Sequence, residues 1–391
     1  MHASTLSLAL ALTAPVTPPD DGQKALVIPA QEHAGGNAQA VALSADGKYV
    51  AAGFGGPSNG RFPLKPNGGG VFVWERTTGK QVFARGEYGD ILQIGFSHDG
   101  RFLVYSRIYT PGDSVDDDTT VVIDLESKET VQRWRKAGFA LSPTSDVMVV
   151  ASGRDTEIFN LKTRKVERSV AVRSARAFSF AADGKTAAAL CYYFEGNRGT
   201  PTGLAVFKID EEKPILYLRD ESLRTAQAVT IAPDSKRVVT GHTEGQARLW
   251  TVDNKVEPFK IEVDTKLSVF PFFAREGKTL VLATQPANGI SWTYDRTDPS
   301  GFKFAKGKTP PASDLYFFDF PALKRQQHWR FEDGSYRTNY ARFGSSRNSP
   351  EYNPVRFAVS TDAKVLAAGC NGCSLVDLNT GKLMRTFQPK P

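Results

Sequence analysis

Two short phrases alternate strictly along this chain, seven times each, and that alternation constrains the fold more than any other feature of the sequence. The first is an apolar stretch, a turn of the form Ser/Ala-x-Asp-Gly or a variant of it, and a second apolar stretch. It reads VALSADGKYVAAG from Val41, IGFSHDGRFLVYS from Ile94, FALSPTSDVMVVA from Phe139 and FSFAADGKTAAAL from Phe178. It continues as VTIAPDSKRVVTG from Val229, FPFFAREGKTLVLA from Phe270 and RFAVSTDAKVLAAG from Arg356. The second phrase is an apolar stretch, a polar turn and usually a lysine, ending at Lys80, Glu129, Lys165, Lys213, Lys255, Lys324 and Lys382. Short apolar runs bounded by Gly, Asp, Asn and Pro are the mark of strands and tight turns, and no run of helical period extends beyond a few turns.

Each pair of phrases therefore supplies four short antiparallel strands, repeating about every 50 residues. One such meander cannot cover both of its faces or its edges, whereas seven set radially cover one another. The expected fold is all-β: a single seven-bladed β-propeller of four-stranded antiparallel blades over residues 24–391.

Over residues 24–388 the chain resembles the WD40-repeat family. The Ser-x-Asp-Gly or Ala-x-Asp-Gly turns at Asp46, Asp99 and Asp183 carry that likeness, as do Trp74 and Trp250 at the end of a third strand. The other five units place Ile123, Phe159, Phe207, Phe318 and Val376 where that tryptophan stands, and only Glu244 takes the position of the family's structural acid. The resemblance implies a non-enzymatic scaffold that binds another protein and needs no cofactor.

Residues 5–16 form an apolar run followed by the breaker-rich TPPDDG, but only His2 precedes it where a signal peptide carries positive charge. Residues 1–23 are thus expected to be a signal peptide or a disordered tail, and the sequence leaves export or a periplasmic location open beside a cytoplasmic one. No stretch has the roughly 18 uninterrupted apolar residues of a membrane helix. Lys382 to Phe387 read as the last unit's own outer strand and Lys24 to Ala30 as another leading into the first unit; one of the two is expected to close the ring, with the N-terminal segment favoured. Cys191, Cys370 and Cys373 are too few for a disulfide scaffold, and the Asn371-Gly372 pair makes a tight turn the plain reading of the single CxxC.

Unit lengths locate the decoration. From the first-turn position to the tryptophan position the seven units span 28, 24, 15, 24, 16, 42 and 14 residues, so units one, two, four and six carry extra chain. The insertions fall at residues 54–70, 107–119, 192–203 and 284–313, all between the second and third strands; a further long connection, 334–354, precedes the seventh unit. In a meander these connections share one face of the ring, which makes that face the expected contact surface. Tyr192, Tyr193, Phe194 and Arg198, then Trp292, Tyr294 and Arg296, then Tyr336, Arg337, Tyr340 and Arg342 are its candidate contact residues, because Tyr, Trp and Arg dominate interface hot spots. The same side chains would suit a sugar or a phosphorylated ligand, so a propeller enzyme or small-ligand binder using the mouth of the central channel is the alternative.

Other chemistry finds little support. Asp113, Asp116, Asp117 and Asp118 are the weak candidates for a metal site, but they lack the alternation, central Gly and terminal Glu of a calcium loop and read as a solvated acidic loop. No HExxH or GxSxG occurs; turn logic assigns His98 to the plain face and His33 and His242 to the decorated one. Lys plus Arg exceeds Asp plus Glu by 49 to 42, a net charge of +7 spread along the chain, which disfavours a nucleic-acid partner.

Overall fold

The structure is a computed structural model; it describes residues 26–28, 38–54, 70–87, 90–108, 119–135, 138–152, 155–195, 198–243, 245–253, 259–263, 267–274, 277–285, 292–294, 302–304, 313–331, 357–360, 364–369 and 373–387. A short strand, β1 (Leu26–Ile28), precedes the blades. Blade one is β2 to β5 (Ala40–Leu43, Tyr49–Phe54, Gly70–Glu75, Gln81–Gly86) and blade two is β6 to β9 (Asp90–Phe96, Phe102–Ile108, Thr119–Asp124, Thr130–Trp134). Blade three is β10 to β13 (Phe139–Leu141, Val147–Ala151, Thr156–Asn160, Lys165–Val170). Blade four is β14 to β17 (Ala175–Phe180, Thr186–Glu195, Arg198–Lys208, Leu216–Arg219), followed by a 3-10 turn at Glu221–Thr225. Blade five is β18 to β21 (Ala226–Ile231, Arg237–His242, Gln246–Thr251, Phe259–Glu262). Blade six is β22, β23, β26 and β27 (Ser268–Ala274, Thr279–Gln285, Ser313–Asp319, Arg325–Phe331), with a separate hairpin, β24 and β25 (Trp292–Tyr294, Phe302–Phe304), in its insertion. Blade seven is β28 to β31 (Phe357–Val359, Val365–Ala368, Cys373–Asp377, Leu383–Phe387). The seven-bladed propeller is the fold of this chain.

Seven apolar clusters hold it together, one in each cleft between neighbouring blades, including the cleft between blades seven and one. The two-residue period of a strand explains how. In β15, Ala187 and Ala189 pack toward blade three while Ala188 and Leu190 pack toward blade five, so both faces of the sheet are dry and the strand reads as a continuous apolar run. The tryptophan position behaves alike in every blade: Trp74, Ile123, Phe159, Phe207, Trp250, Phe318 and Val376 are all buried in the cleft with the preceding blade. Where the tryptophan is missing, a fourth strand can supply the bulk. Trp134 meets Phe159 edge-on at 4.9 Å, and Trp329 with Phe331 fills the cleft that holds the small Val376.

The plain face is built from the two kinds of turn and is seven-fold uniform. Two residues past the tryptophan position, a backbone N–H donates to the carbonyl two residues past the first-turn position: Arg76 to Lys48, Leu125 to Arg101, Leu161 to Asp146, Ile209 to Lys185, Val252 to Lys236, Phe320 to Lys278 and Leu378 to Lys364. These seven bonds measure between 2.7 and 3.0 Å and tie the inner turn of each blade to its outer turn. Asp fits the inner turns because its carboxylate accepts backbone N–H groups, as Asp46 does from Lys48 and Asp99 from Arg101. Gly follows because φ is positive there, 68° at Gly47 and 72° at Gly100.

One expectation is corrected. The N-terminal segment does not close the ring beside the last unit: blade seven is complete with its own outer strand β31, and β1 instead pairs in parallel with β27 of blade six, Leu26 opposite Trp329 and Ile28 opposite Phe331. β31 already satisfies the third strand of blade seven, and β1 takes the outer edge of β27 instead. The signal peptide or disordered tail expected over residues 1–23 lies outside the described residues.

Among the described glycines, approach to the backbone of a neighbouring blade is closest at Gly241 in β19, where a Cβ would stand 2.0 Å from the carbonyl oxygen of Val269 and 2.6 Å from Pro271. Only the Val269 backbone and the rigid Pro271 ring are there to yield. Gly241→Ala is expected to lower unfolding stability by about 3 kcal/mol, read by denaturant titration; a loss below about 1 kcal/mol would mean that blades five and six can slide apart.

Candidate interaction face

Antiparallel pairing sends every connection between second and third strands to the face opposite the tied turns, so all four insertions leave from one side of the ring. Two of them have described structure, and both are strands where the sequence reading has loops. In blade four β15 and β16 run on beyond the blade as a two-stranded ribbon, pairing Tyr192 with Pro201, Tyr193 with Thr200, Phe194 with Gly199 and Glu195 with Arg198. In blade six β24 and β25 form a hairpin that pairs Trp292 with Phe304 and Tyr294 with Phe302. Alternation of high-β-propensity residues accounts for both. Arg296, Tyr336, Arg337, Tyr340 and Arg342 lie outside the described residues, as do His33, Glu244, Cys370 and the acidic cluster Asp113, Asp116, Asp117 and Asp118. Among the described residues no group of three His, Cys, Asp or Glu is placed to hold a metal ion.

Three polar clusters sit where strands meet this face, and sequence reasoning missed their composition. Between blades one and two, buried Glu87 accepts from the Tyr105 hydroxyl and from Arg107, and pairs with Arg85 at 3.0 Å. Burial, with the Glu87 carboxylate alongside, pushes the Tyr105 phenol up and keeps it protonated. In blade six Asp314 bonds His328 Nε2 at 2.9 Å and accepts from Arg330 Nε at 2.9 Å, while His328 lies flat on Tyr316 with ring centroids 4.3 Å apart. Burial alone would raise the Asp314 pKa; the bonds from His328 and Arg330 outweigh it and hold the carboxyl below its ordinary value. The available sequence signal was a charged residue inside an apolar strand phrase, as at Arg107 and Asp314.

The third cluster involves His242, which the sequence assigned to this face and the structure places at its edge, at the end of β19. Trp250 Nε1–H donates to Thr240 Oγ1 at 2.8 Å, the Thr240 hydroxyl lies 2.7 Å from His242 Nε2, and the Thr225 hydroxyl lies 3.0 Å from His242 Nδ1. A neutral ring satisfies every partner. Burial, assisted by the positive charge of Arg248, depresses the His242 pKa to about 3, far too low for a general base near neutrality. His98 is exposed in the inner turn of blade two, on the plain face as expected.

A groove of 310 Å³ lined by Val82, Phe83, Ala84, Arg85 and Lys128 lies along the outer strand of blade one, away from the channel mouth. Cys191 and Cys373 are free thiols, and burial pushes both up to about 12. No helix is long and apolar enough to cross a membrane among the described residues. Compared with known protein families and with curated proteins, the chain matches none.

Two measurements check this chemistry. The unfolded state protonates His242 below pH 6.5 while the folded state stays neutral down to about 3, so this group leaves stability unchanged above pH 7 and lowers it as pH falls. At pH 5 the loss is about 2 kcal/mol, and His242→Gln is expected to remove that much of the pH 7 to pH 5 decline in urea titrations. Iodoacetamide is expected to leave Cys191 and Cys373 unmodified in the native protein and to label both after unfolding, as read by peptide mapping.

Proposed function

We propose that this propeller is a non-enzymatic, WD40-like scaffold for another protein, with its contact surface on the face that carries the inserted connections. The observation that carries the reading is the asymmetry of the ring. One face is a uniform set of short turns, each tied by a backbone hydrogen bond, and the other collects every insertion. A rigid ring holds such connections at fixed positions at small entropic cost, and this is how binding residues are commonly presented. The concentration of Tyr, Trp and Arg in those connections, at Tyr192, Tyr193, Arg198, Trp292, Tyr294 and Arg296, and at Tyr336, Arg337, Tyr340 and Arg342, supports a protein partner because such residues give large buried area with directional contacts.

Excision tests this. Variants lacking residues 286–312 or 334–354, or with 192–203 cut to a tight turn, are expected to keep the strand signature in circular dichroism and to lose co-purifying proteins identified by mass spectrometry. Lys236→Glu on the plain face is expected to keep them. Retention of the same partners by all three excised variants would remove the proposal.

A further inference from the structure

The ribbon of blade four has two long edges, and they differ. β14 accompanies β15 only as far as the pair Ala175 and Cys191, and β17 accompanies β16 only as far as Gly203 and Arg219. Among the described residues, both strands continue beyond those pairs with the ribbon alone. On the β16 side the chain has two devices that blunt an edge: Pro201, which has no N–H to offer, and the Glu221–Thr225 turn packed beside the strand. On the β15 side the edge is Tyr192, Tyr193, Phe194 and Glu195, with high strand propensity and neither proline nor lysine. Every described outer strand of a blade carries at least one charged residue, as in Lys165, Glu167 and Arg168 of β13 or Lys260 and Glu262 of β21, while Tyr192 to Phe194 carry none.

The backbone groups on that edge can be assigned. Glu195 and Arg198 close a two-residue connection, so they form a hydrogen-bonded pair, and the alternation of an antiparallel ladder makes Phe194 with Gly199 and Tyr192 with Pro201 the non-bonded pairs. Proline opposite Tyr192 fits the same parity, because there its missing N–H is not needed. The N–H and C=O groups of Tyr192 and Phe194 consequently face away from β16, toward the line of β14. β14 is the innermost strand of its blade, so this edge looks inward across the mouth of the central channel on the decorated face.

We propose that this inward edge of β15, Tyr192 to Glu195, receives an extended segment of a partner polypeptide as an added strand, in continuation of β14 over the channel mouth. The inference rests on the protein-scaffold reading and names the mode of contact. Alternating donors and acceptors at strand spacing are matched by a peptide backbone and not by a sugar or a phosphate, which identifies the occupant as extended polypeptide. Addition of a strand to a blade edge already occurs within this molecule, where β1 lies along β27. Four residues of edge, about 13 Å long, expose the N–H and C=O of two residues, so the strand contributes register and direction while neighbouring insertions add the remaining contact.

The test uses the full chain and a displayed library of short random peptides. Selected peptides are expected to slow amide exchange at Tyr192 and Phe194. Phe194→Pro, which removes an outward N–H without touching the bond pattern to β16, is expected to weaken their binding more than about ten-fold, and Phe194→Val, which keeps the backbone, less than about three-fold. Unchanged exchange at both amides with peptide bound, equal binding by Phe194→Pro, or a library with no binder would overturn the proposal. So would a wild-type dimer that Phe194→Pro dissociates, since the occupant would then be a second copy. The exchange experiment needs no variant, so a misfolded Phe194→Pro does not decide the matter. Loss of partners on loop excision together with a silent β15 edge would leave the scaffold reading standing and remove only the strand addition.

Discussion

A blade with two apolar faces is the constraint on which everything else here depends. Burying one face would leave the other in water, and the free energy of apolar burial falls short by half until a second neighbour arrives. Only a closed ring supplies two neighbours to every blade. The seam between blades seven and one shows how closure works without a shared blade: Trp74 and Phe387 approach to 5.6 Å in a cluster that also holds Val41, Val50, Leu375 and Cys373. No chain connection joins those two blades directly. The pairing of β1 with β27 adds a backbone link between the start of the chain and blade six, on the far side of the seam.

The two faces of the ring divide the labour. Tied turns on the plain face fix the length and exit angle of every strand, and Asp124, paired with Arg101 of its own blade, also meets Arg164 of blade three, an ion pair that joins neighbouring blades there. That rigidity is what allows the opposite face to vary, since a lengthened connection changes little in a blade already fastened at its other end. The buried polar clusters around Glu87, His242 and Asp314 sit at the boundary. Glu87, His242 and Asp314 each find hydrogen-bonding partners within the fold, and burial keeps the His242 ring neutral.

The tryptophan position illustrates how far local pattern carries. Aligning Trp74 with Ile123, Phe159 and Val376 by phrase alone placed residues of very different volume at one site, and all of them turn out to be buried toward the preceding blade. Phrase and period fix the direction of a side chain because strand geometry is local. They do not fix the volume it must fill. Trp329 and Trp134 complete two of these clefts from the fourth strand, a substitution visible only once the strands are side by side. The same limit explains the ribbon: a run such as Tyr-Tyr-Phe-Glu followed by Gly-Asn can be loop or hairpin, and pairing with residues 198–201 decides it.

By itself the sequence determined the number of blades, the four strands in each, the buried positions and the single decorated face, because all of these follow from the spacing of apolar runs and turns along one chain. Tertiary structure alone decided the docking of β1 on blade six, the extension of β15 beyond its last pair with β14 and the partners of Glu87, His242 and Asp314. Those outcomes depend on which strand edge is free and which charged groups meet across a cleft. Such contacts join residues tens or hundreds of positions apart, and no local pattern records them.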